Sequence, residues 1–413
     1  MDLFNIITYL LVLSSIFGYI NIRFLKMPAT IGLMVLALAF SILMLLINYM
    51  NPAIFQTAEN VIKQINFSEV VLNVMLSFLL FAGAMHTDSS LMRKERRSIL
   101  LFSLFSILIS AIIIASLLYG VILLTGNKFS FIYCLLFGVL ISPTDPIAVL
   151  GILTKAHVPR RIEINIVGES LFNDGIGVVL FLIILQIINE GVDKVSLSGV
   201  ILLFIQQAIG GLLFGFVIGY ITFILLKPID HYETEVMITI AMVMGGYYLA
   251  NKLHVSGPLA MVVAGLFTEN RIRHYAMSST TSLYVDKFWE LIDVLMNAVL
   301  FVLIGLRLLV LDYKNIYLFI GIAAIPIVLF ARYISIRLPL LLSNKWIRLD
   351  RRAQLLMTWG GLRGGLAIAM ALSITNEPHK DMIVFITYIV VLFSILVQGL
   401  TVGKFARRLY SSS

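Results

Sequence analysis

The sequence predicts an all-α polytopic membrane protein with about 13 transmembrane helices. Three observations carry this prediction. Of 413 residues, 60% are hydrophobic and 13% charged, with a mean hydropathy of +1.01, whereas ordinary globular domains carry about 25% charged residues. Apolar stretches of the length that crosses a hydrocarbon core recur along the whole chain. The Lys and Arg residues between those stretches alternate in density, as they do when successive loops lie on opposite sides of a membrane.

In order, the apolar stretches are 3–22, 29–48, 69–87, 98–124, 130–154, 162–189, 197–226, 234–251, 255–269, 284–311, 315–342, 352–376 and 381–403. The first follows Met1-Asp2 with no basic n-region, so it reads as a retained span rather than a cleaved signal. The fifth holds Cys134, the single cysteine, which excludes an intrachain disulfide and a thiolate metal site and reads as a small buried hydrophobe. The 28 glycines suit helices that pack by close approach of their backbones. The sequence ends about ten residues after the last span, so no soluble regulatory domain is expected.

The basic loop with Arg93, Lys94, Arg96 and Arg97 follows the third span and sets the orientation. With that loop cytoplasmic, nineteen Lys and Arg fall on the cytoplasmic side, among them Lys155, Arg160, Arg161, Lys345, Arg348 and the tail's Arg407 and Arg408. Six fall opposite: Lys63, Lys128, Lys194, Lys252, Lys314 and Lys380. The N-terminus is therefore expected outside and the C-terminus in the cytoplasm of a multi-pass protein of the cell membrane. The net charge of +8 is spread over these loops, not gathered in a patch, and gives no sign of nucleic-acid binding.

Two spans are interrupted. The fifth contains Pro143-Thr144-Asp145-Pro146, and the twelfth contains Gly360-Gly361-Leu362-Arg363-Gly364-Gly365. They occupy matching places in two six-helix units, spans 1–6 and 8–13, with the seventh as connector. This predicts two inverted six-helix repeats whose broken helices 5 and 12 cross at the midplane, where ion-coupled transporters build their sites. Unwound backbone survives at that depth only where it lines a cavity or is buried in protein.

The acids inside these spans are costly, at about 2.5 kcal/mol or more each. Asp145 sits in the break of span 5. Glu169, Ser170, Asn173 and Asp174 sit on span 6, spaced so that Glu169 stacks with Asn173 and Ser170 with Asp174 along one wall. In a soluble chain Asn173-Asp174-Gly175 would read as a turn, but here the apolar run continues from Ile176 to Ile188. Asp174 is thus the leading functional carboxylate, while Asp145 has a competing role holding the unwound peptide ends. Carboxylate, hydroxyl, amide and freed carbonyl oxygens suit a hard monovalent cation. Arg332 on span 11 and Arg363 in the break of span 12 need buried counter-charges. Glu169 with Arg332 is one pairing, leaving Arg363 for the helix ends and Asp145, although the partners could be exchanged.

On span 10, Glu290 and Asp293 read either as a cation-attracting funnel or as a solvated helix end. Asn297 reads as a deeper polar group or an interhelical hydrogen bond. His86 and Asp88 read as interfacial, and the sequon Asn66-Phe67-Ser68 carries no weight.

The motifs Ser142-Pro143-Thr144-Asp145-Pro146-Ile147-Ala148-Val149-Leu150, Gly168-Glu169-Ser170-Leu171-Phe172-Asn173-Asp174-Gly175 and Gly360-Gly361-Leu362-Arg363-Gly364 occur in this order. With Trp289 to Gly305, they resemble the monovalent cation/proton antiporter superfamily, in its prokaryotic first-branch sodium/proton exchangers. The resemblance spans nearly the whole chain. It implies a homodimer in membrane lipid that exchanges monovalent cations for protons, needs no cofactor and is not an enzyme. It implies that Asp174 binds proton and cation in turn, with Thr144, Asp145, Ser170 and Asn173 completing the site. A Glu169–arginine bridge would lie behind it, with Arg332 and Arg363 as the arginines concerned. It implies scaffold and dimer helices over 1–95 and 231–312, core helices over 96–190 and 313–413, and a linker helix over 191–230, with elevator-type movement of the core. Asn173 ahead of the critical aspartate implies electroneutral exchange. One departure is visible: some relatives read Leu-Leu-Phe-Glu on the third helix where this chain has Leu79-Leu80-Phe81-Ala82.

The expected mechanism is competition of proton and sodium (or lithium) at Asp174, driven by ion gradients, since no Gly-x-x-x-x-Gly-Lys nucleotide loop is present. A potassium/proton antiporter with the same site is the alternative, and a cation channel a weaker one. An intramembrane aspartyl protease is disfavoured because no Gly-x-Gly-Asp context surrounds either aspartate.

Overall fold

The computed structural model describes residues 3–126, 129–145, 153, 154, 156, 158–191, 196–311, 313–342, 349–375 and 379–410. Pro146 to Ile152 of the fifth span lie outside the described residues, as do the loop cations Lys128, Lys155, Lys194, Lys345 and Arg348. The described residues are helical and contain no strand.

The helices are α1 (Leu3–Ile20), α2 (Ala29–Met50), α3 (Pro52–Lys63), α4 (Phe67–Met85), α5 (Ser89–Lys94), α6 (Arg96–Leu124), α7 (Phe131–Ile141) and α8 (Arg160–Glu190). They continue as α9 (Leu197–Leu226), α10 (Tyr232–Lys252), α11 (Gly257–Phe267), α12 (Ser279–Leu306), α13 (Asn315–Leu342), α14 (Arg351–Trp359), α15 (Gly365–Ser373) and α16 (Lys380–Tyr410). Nine helices among the described residues are long and apolar enough to cross a membrane. The 31 residues of α8 would span about 46 Å at 1.5 Å per residue, more than the hydrocarbon core needs.

Helix starts follow capping chemistry. Ser196, Ser256, Ser278 and Asp350 each accept a backbone N–H from the first turn of α9, α11, α12 and α14. Asn66, the residue of the sequon, caps α4: its Oδ1 accepts from Glu69 N at 3.3 Å and its Nδ2 donates to Glu69 Oε2 at 2.8 Å. Asp88 caps α5 through Ser90 and Leu91, and these hydrogen bonds hold its carboxyl below the usual carboxylate range. Helix α3, between the second and third spans, is one that apolar length alone did not reveal.

Two sets of neighbours organise the packing. In one, α2 lies on α12, α4 on α11, and α9 on α11, with α10 against α11 and α12. In the other, α6 lies on α7 and α13, α13 on α16, and α15 on α16. Helix α8 touches α7 in the second set and α9 and α11 in the first, while α15 reaches the start of α4 and α12. The polarity is inverted relative to a water-soluble domain. Ile205, Leu213, Phe216 and Leu225 of α9 stand exposed, while Glu169, Arg332 and Arg363 are buried. Lipid in place of water outside the bundle accounts for this arrangement.

The α6–α7 crossing depends on Gly138. A Cβ there would fall 2.5 Å from the Ala111 carbonyl oxygen, a backbone atom that cannot step aside. Gly138→Leu is expected to destabilise the protein by roughly 1–3 kcal/mol, read as a lower melting temperature in detergent. Gly245→Ala, inside α10 at a position with nothing within 4 Å, is the control expected not to lower the melting temperature.

Candidate functional site

Two helix breaks meet. Helix α7 stops at Ile141 and the chain runs unwound through Ser142, Pro143, Thr144 and Asp145. Between α14 and α15 the chain is likewise unwound at Gly361–Gly364. The two unwound peptides join directly, with Asp145 N donating to the Leu362 carbonyl at 2.8 Å. Gly364 makes the approach possible, since a Cβ there would lie 2.5 Å from Asp145 Oδ2 and 2.8 Å from Asp145 Cβ.

Several of the groups that the breaks orphan are met by side chains. Arg363, 2% exposed, donates from Nη1 to the carbonyls of Ser142 and, at 3.0 Å, Pro143. A guanidinium thus sits at the C-terminal end of α7, where the helix dipole is negative. Arg363 N itself donates to Ser394 Oγ at 2.8 Å, and Gln398 Nε2 donates to the Trp359 carbonyl at 3.0 Å. Ser394 and Gln398 lie in a widened, π-type turn of α16, a feature that often accompanies functional sites.

Helix α8 supplies the opposite wall. Ser170 Oγ donates to the Thr144 carbonyl. Asn173 grips the same residue at both ends: Nδ2 donates to Thr144 Oγ1 at 3.0 Å, and Oδ1 accepts from Thr144 N at 3.3 Å. In this structure, then, the polar groups of Ser170 and Asn173 hold the unwound peptide. Asp174 differs. It is half-buried and has no hydrogen-bond or ion-pair partner among the described residues.

Behind the site, Glu169 (0% exposed) and Arg332 (3% exposed) form a two-pronged ion pair, with Nη2 to Oε2 at 2.9 Å. Arg332 Nη1 also donates to Ser106 Oγ at 3.0 Å, and Ser106 bonds Ser335 at 3.0 Å. The pairing left open by the sequence is therefore Glu169 with Arg332, and Arg363 balances the end of α7.

A cavity of about 390 Å³ lies against this arrangement. Thr144, Asp145 and Asp174 line it, together with Asn297, Asp293 and Glu290 of α12 and His86 and Thr87 at the end of α4. Exposure grades along it: His86 and Glu290 are exposed, Asp293 is half-buried and Asn297 is buried. His86, which reads as merely interfacial in the sequence, stands at the rim, with Nδ1 2.8 Å from the Ala82 carbonyl.

Residues 11–408 match the family described as "Sodium/hydrogen exchanger, transmembrane". The chain belongs to that family. This exchanger is 45% identical to the Na(+)/H(+) antiporter NhaP of Pseudomonas aeruginosa, over 98% of the chain and 97% of the relative. It is 32% identical to the Na(+)/H(+) antiporter NhaH of Halobacillus dabanensis, over 94% and 93%. Its fold matches the sodium proton antiporter MjNhaP1 of Methanocaldococcus jannaschii with a TM-score of 0.77 at 21% identity, over 99% of both chains. The exchanger is accordingly a multi-pass helical membrane transporter, not an enzyme.

The buried ion pair yields a stability prediction. Glu169→Gln or Arg332→Met alone leaves one buried charge and is expected to cost about 3–5 kcal/mol. The double variant is expected to lose less than the sum of the two, as thermal unfolding of all four forms in detergent would show.

Proposed function

We propose that this exchanger is a sodium(lithium)/proton antiporter in which proton and cation compete at Asp174. The observation that carries the reading is the contrast on α8. Glu169 is neutralised by Arg332, Ser170 and Asn173 are bonded to Thr144, and Asp174 faces the cavity with no protein partner among the described residues. A half-buried carboxylate in that position needs a proton or a cation to neutralise it. Either gives the same net charge, so loaded transport in the two directions is electroneutral, one cation for one proton. Thr144, Asp145, Ser170 and Asn173 are the residues proposed to complete the cation shell once the Thr144 bonds rearrange. The named activities of the NhaP and NhaH relatives support this reading.

The packing supports a core of residues 96–190 and 313–413 moving against scaffold helices of 1–95 and 231–312, with 191–230 as linker. Alternating access is then proposed to be elevator-like, in a homodimer held through the scaffold. The charge alternation of the loops supports an external N-terminus, which puts the rim at His86 and Glu290 on the cytoplasmic side.

Reconstituted protein would be followed by an internal pH dye as sodium, lithium or potassium is added, with the membrane potential clamped or free. Sodium- or lithium-driven proton efflux indifferent to potential is expected, and a response to potassium alone would move the assignment to potassium/proton exchange. Asp174→Asn is expected to insert normally and lose exchange; normal exchange by this variant would refute the single-carboxylate mechanism. Because protons compete for the same group, each unit drop in pH on the acid side is expected to raise the apparent KM for sodium by up to about tenfold at unchanged maximal rate.

A further inference from the structure

Beside the cavity, α12 carries an acceptor that nothing among the described residues satisfies. Asn297 is 3% exposed. Its Nδ2 donates to the Asp293 carbonyl at 2.8 Å and to Asp293 Oδ1 at 3.1 Å. Those two bonds fix the amide's orientation and leave its Oδ1 buried without a hydrogen-bond partner among the described residues. An intrahelical hydrogen bond explains the amino group of Asn297 and not its oxygen. Buried acceptors of this kind call for a ligand or an ordered water.

Asp293 lies one helical turn away on the same face and lines the same cavity. The other acids of α12 near the rim have counter-ions: Asp286 pairs with Arg273 at 2.5 Å, and Glu290 with Lys287 at 2.6 Å. Asp293 has no ion pair among the described residues, where its carboxylate accepts from the Asn297 amide and has His86 as the neighbouring basic group. No group of three or more His, Cys, Asp or Glu is assembled among the described residues. One carboxylate, one amide oxygen and room for water therefore suit a hard monovalent cation rather than a divalent one.

We propose that Asp293 and the Asn297 side-chain oxygen form an outer cation subsite, which holds a partly hydrated sodium or lithium ion between the rim and Asp174. The subsite rests on the antiport reading above. It gives the entering ion two protein oxygens before it reaches Asp145 and Asp174, so part of its hydration shell is exchanged before the inner site is engaged. Cation choice then begins at α12, ahead of the carboxylate where the proton is exchanged.

The test is sodium and lithium titration of exchange in proteoliposomes, for the full-length wild type, Asn297→Ala and Asp293→Asn. Both variants are expected to raise the apparent KM for the cation about tenfold, with the maximal rate within about twofold, and Asn297→Ala to change the sodium:lithium KM ratio. Asn297→Ala leaves the charge unaltered, so its effect separates coordination from simple attraction of cations by Asp293. Asp293→Asn is isosteric and keeps an oxygen for the Asn297 amide, so it tests the subsite even if Asn297→Ala fails to insert. A wild type that exchanges while Asp293→Asn keeps its KM, or loses maximal rate alone, would overturn the subsite and leave the antiport reading standing. A wild type with no exchange for sodium, lithium or potassium would overturn both.

Discussion

Interrupting a helix inside hydrocarbon strands carbonyl and N–H groups where no water can reach them, and the rest of this structure is arranged around that constraint. The unwound peptide after α7 and the one between α14 and α15 solve it jointly. Each supplies something the other lacks: the Leu362 carbonyl accepts the Asp145 N–H, and the Arg363 guanidinium takes up the carbonyls of Ser142 and Pro143. Helix α16 completes the arrangement from its widened turn, where Ser394 accepts from Arg363 N and Gln398 donates to the Trp359 carbonyl. The breaks are thus held firmly, and what they expose to the cavity is chosen.

The same economy governs charge. Besides Asp145, four ionisable side chains are gathered at the crossing with α8, and three of them have evident electrostatic work inside the protein. Glu169 and Arg332 cancel one another in a network with Ser106 and Ser335. Arg363 lies against a helix end and the neighbourhood of Asp145. Only Asp174 faces the cavity without a partner among the described residues. Chemistry that must give and take an ion needs such a group, since a carboxylate already neutralised by the protein has nothing to exchange.

Much of this was legible in the sequence. Helix α8 and the breaks at Pro143 and Gly361 could be read because proline, paired glycines and acids in apolar runs are costly for known reasons. The ion pair could be read only as one of two pairings, because Glu169 and Arg332 are 163 residues apart and charge alone does not choose between two arginines. The two-ended grip of Asn173 on Thr144 was out of reach, since residue types do not say which of several oxygens face one another. Helix α3 was missed because its twelve residues, Pro52–Lys63, mix apolar and polar positions and fall below the length that marks a span. His86 was placed at the interface, yet no periodicity on α4 alone could show that α12 faces it across a cavity.

The crossing also sets an order of events during synthesis. Glu169 enters the membrane with α8, but Arg332 is encoded 163 residues later, and Arg363 later still. At translation speeds of about 5–20 residues per second, that separation is roughly ten to thirty seconds. Throughout it the amino-terminal half holds an acid without its counter-charge and a helix end without its guanidinium. The nascent chain must therefore pass through a stage in which its most polar segment is shielded by something other than its eventual partners. Native packing around α8 is a late step that waits for the carboxyl-terminal helices to arrive.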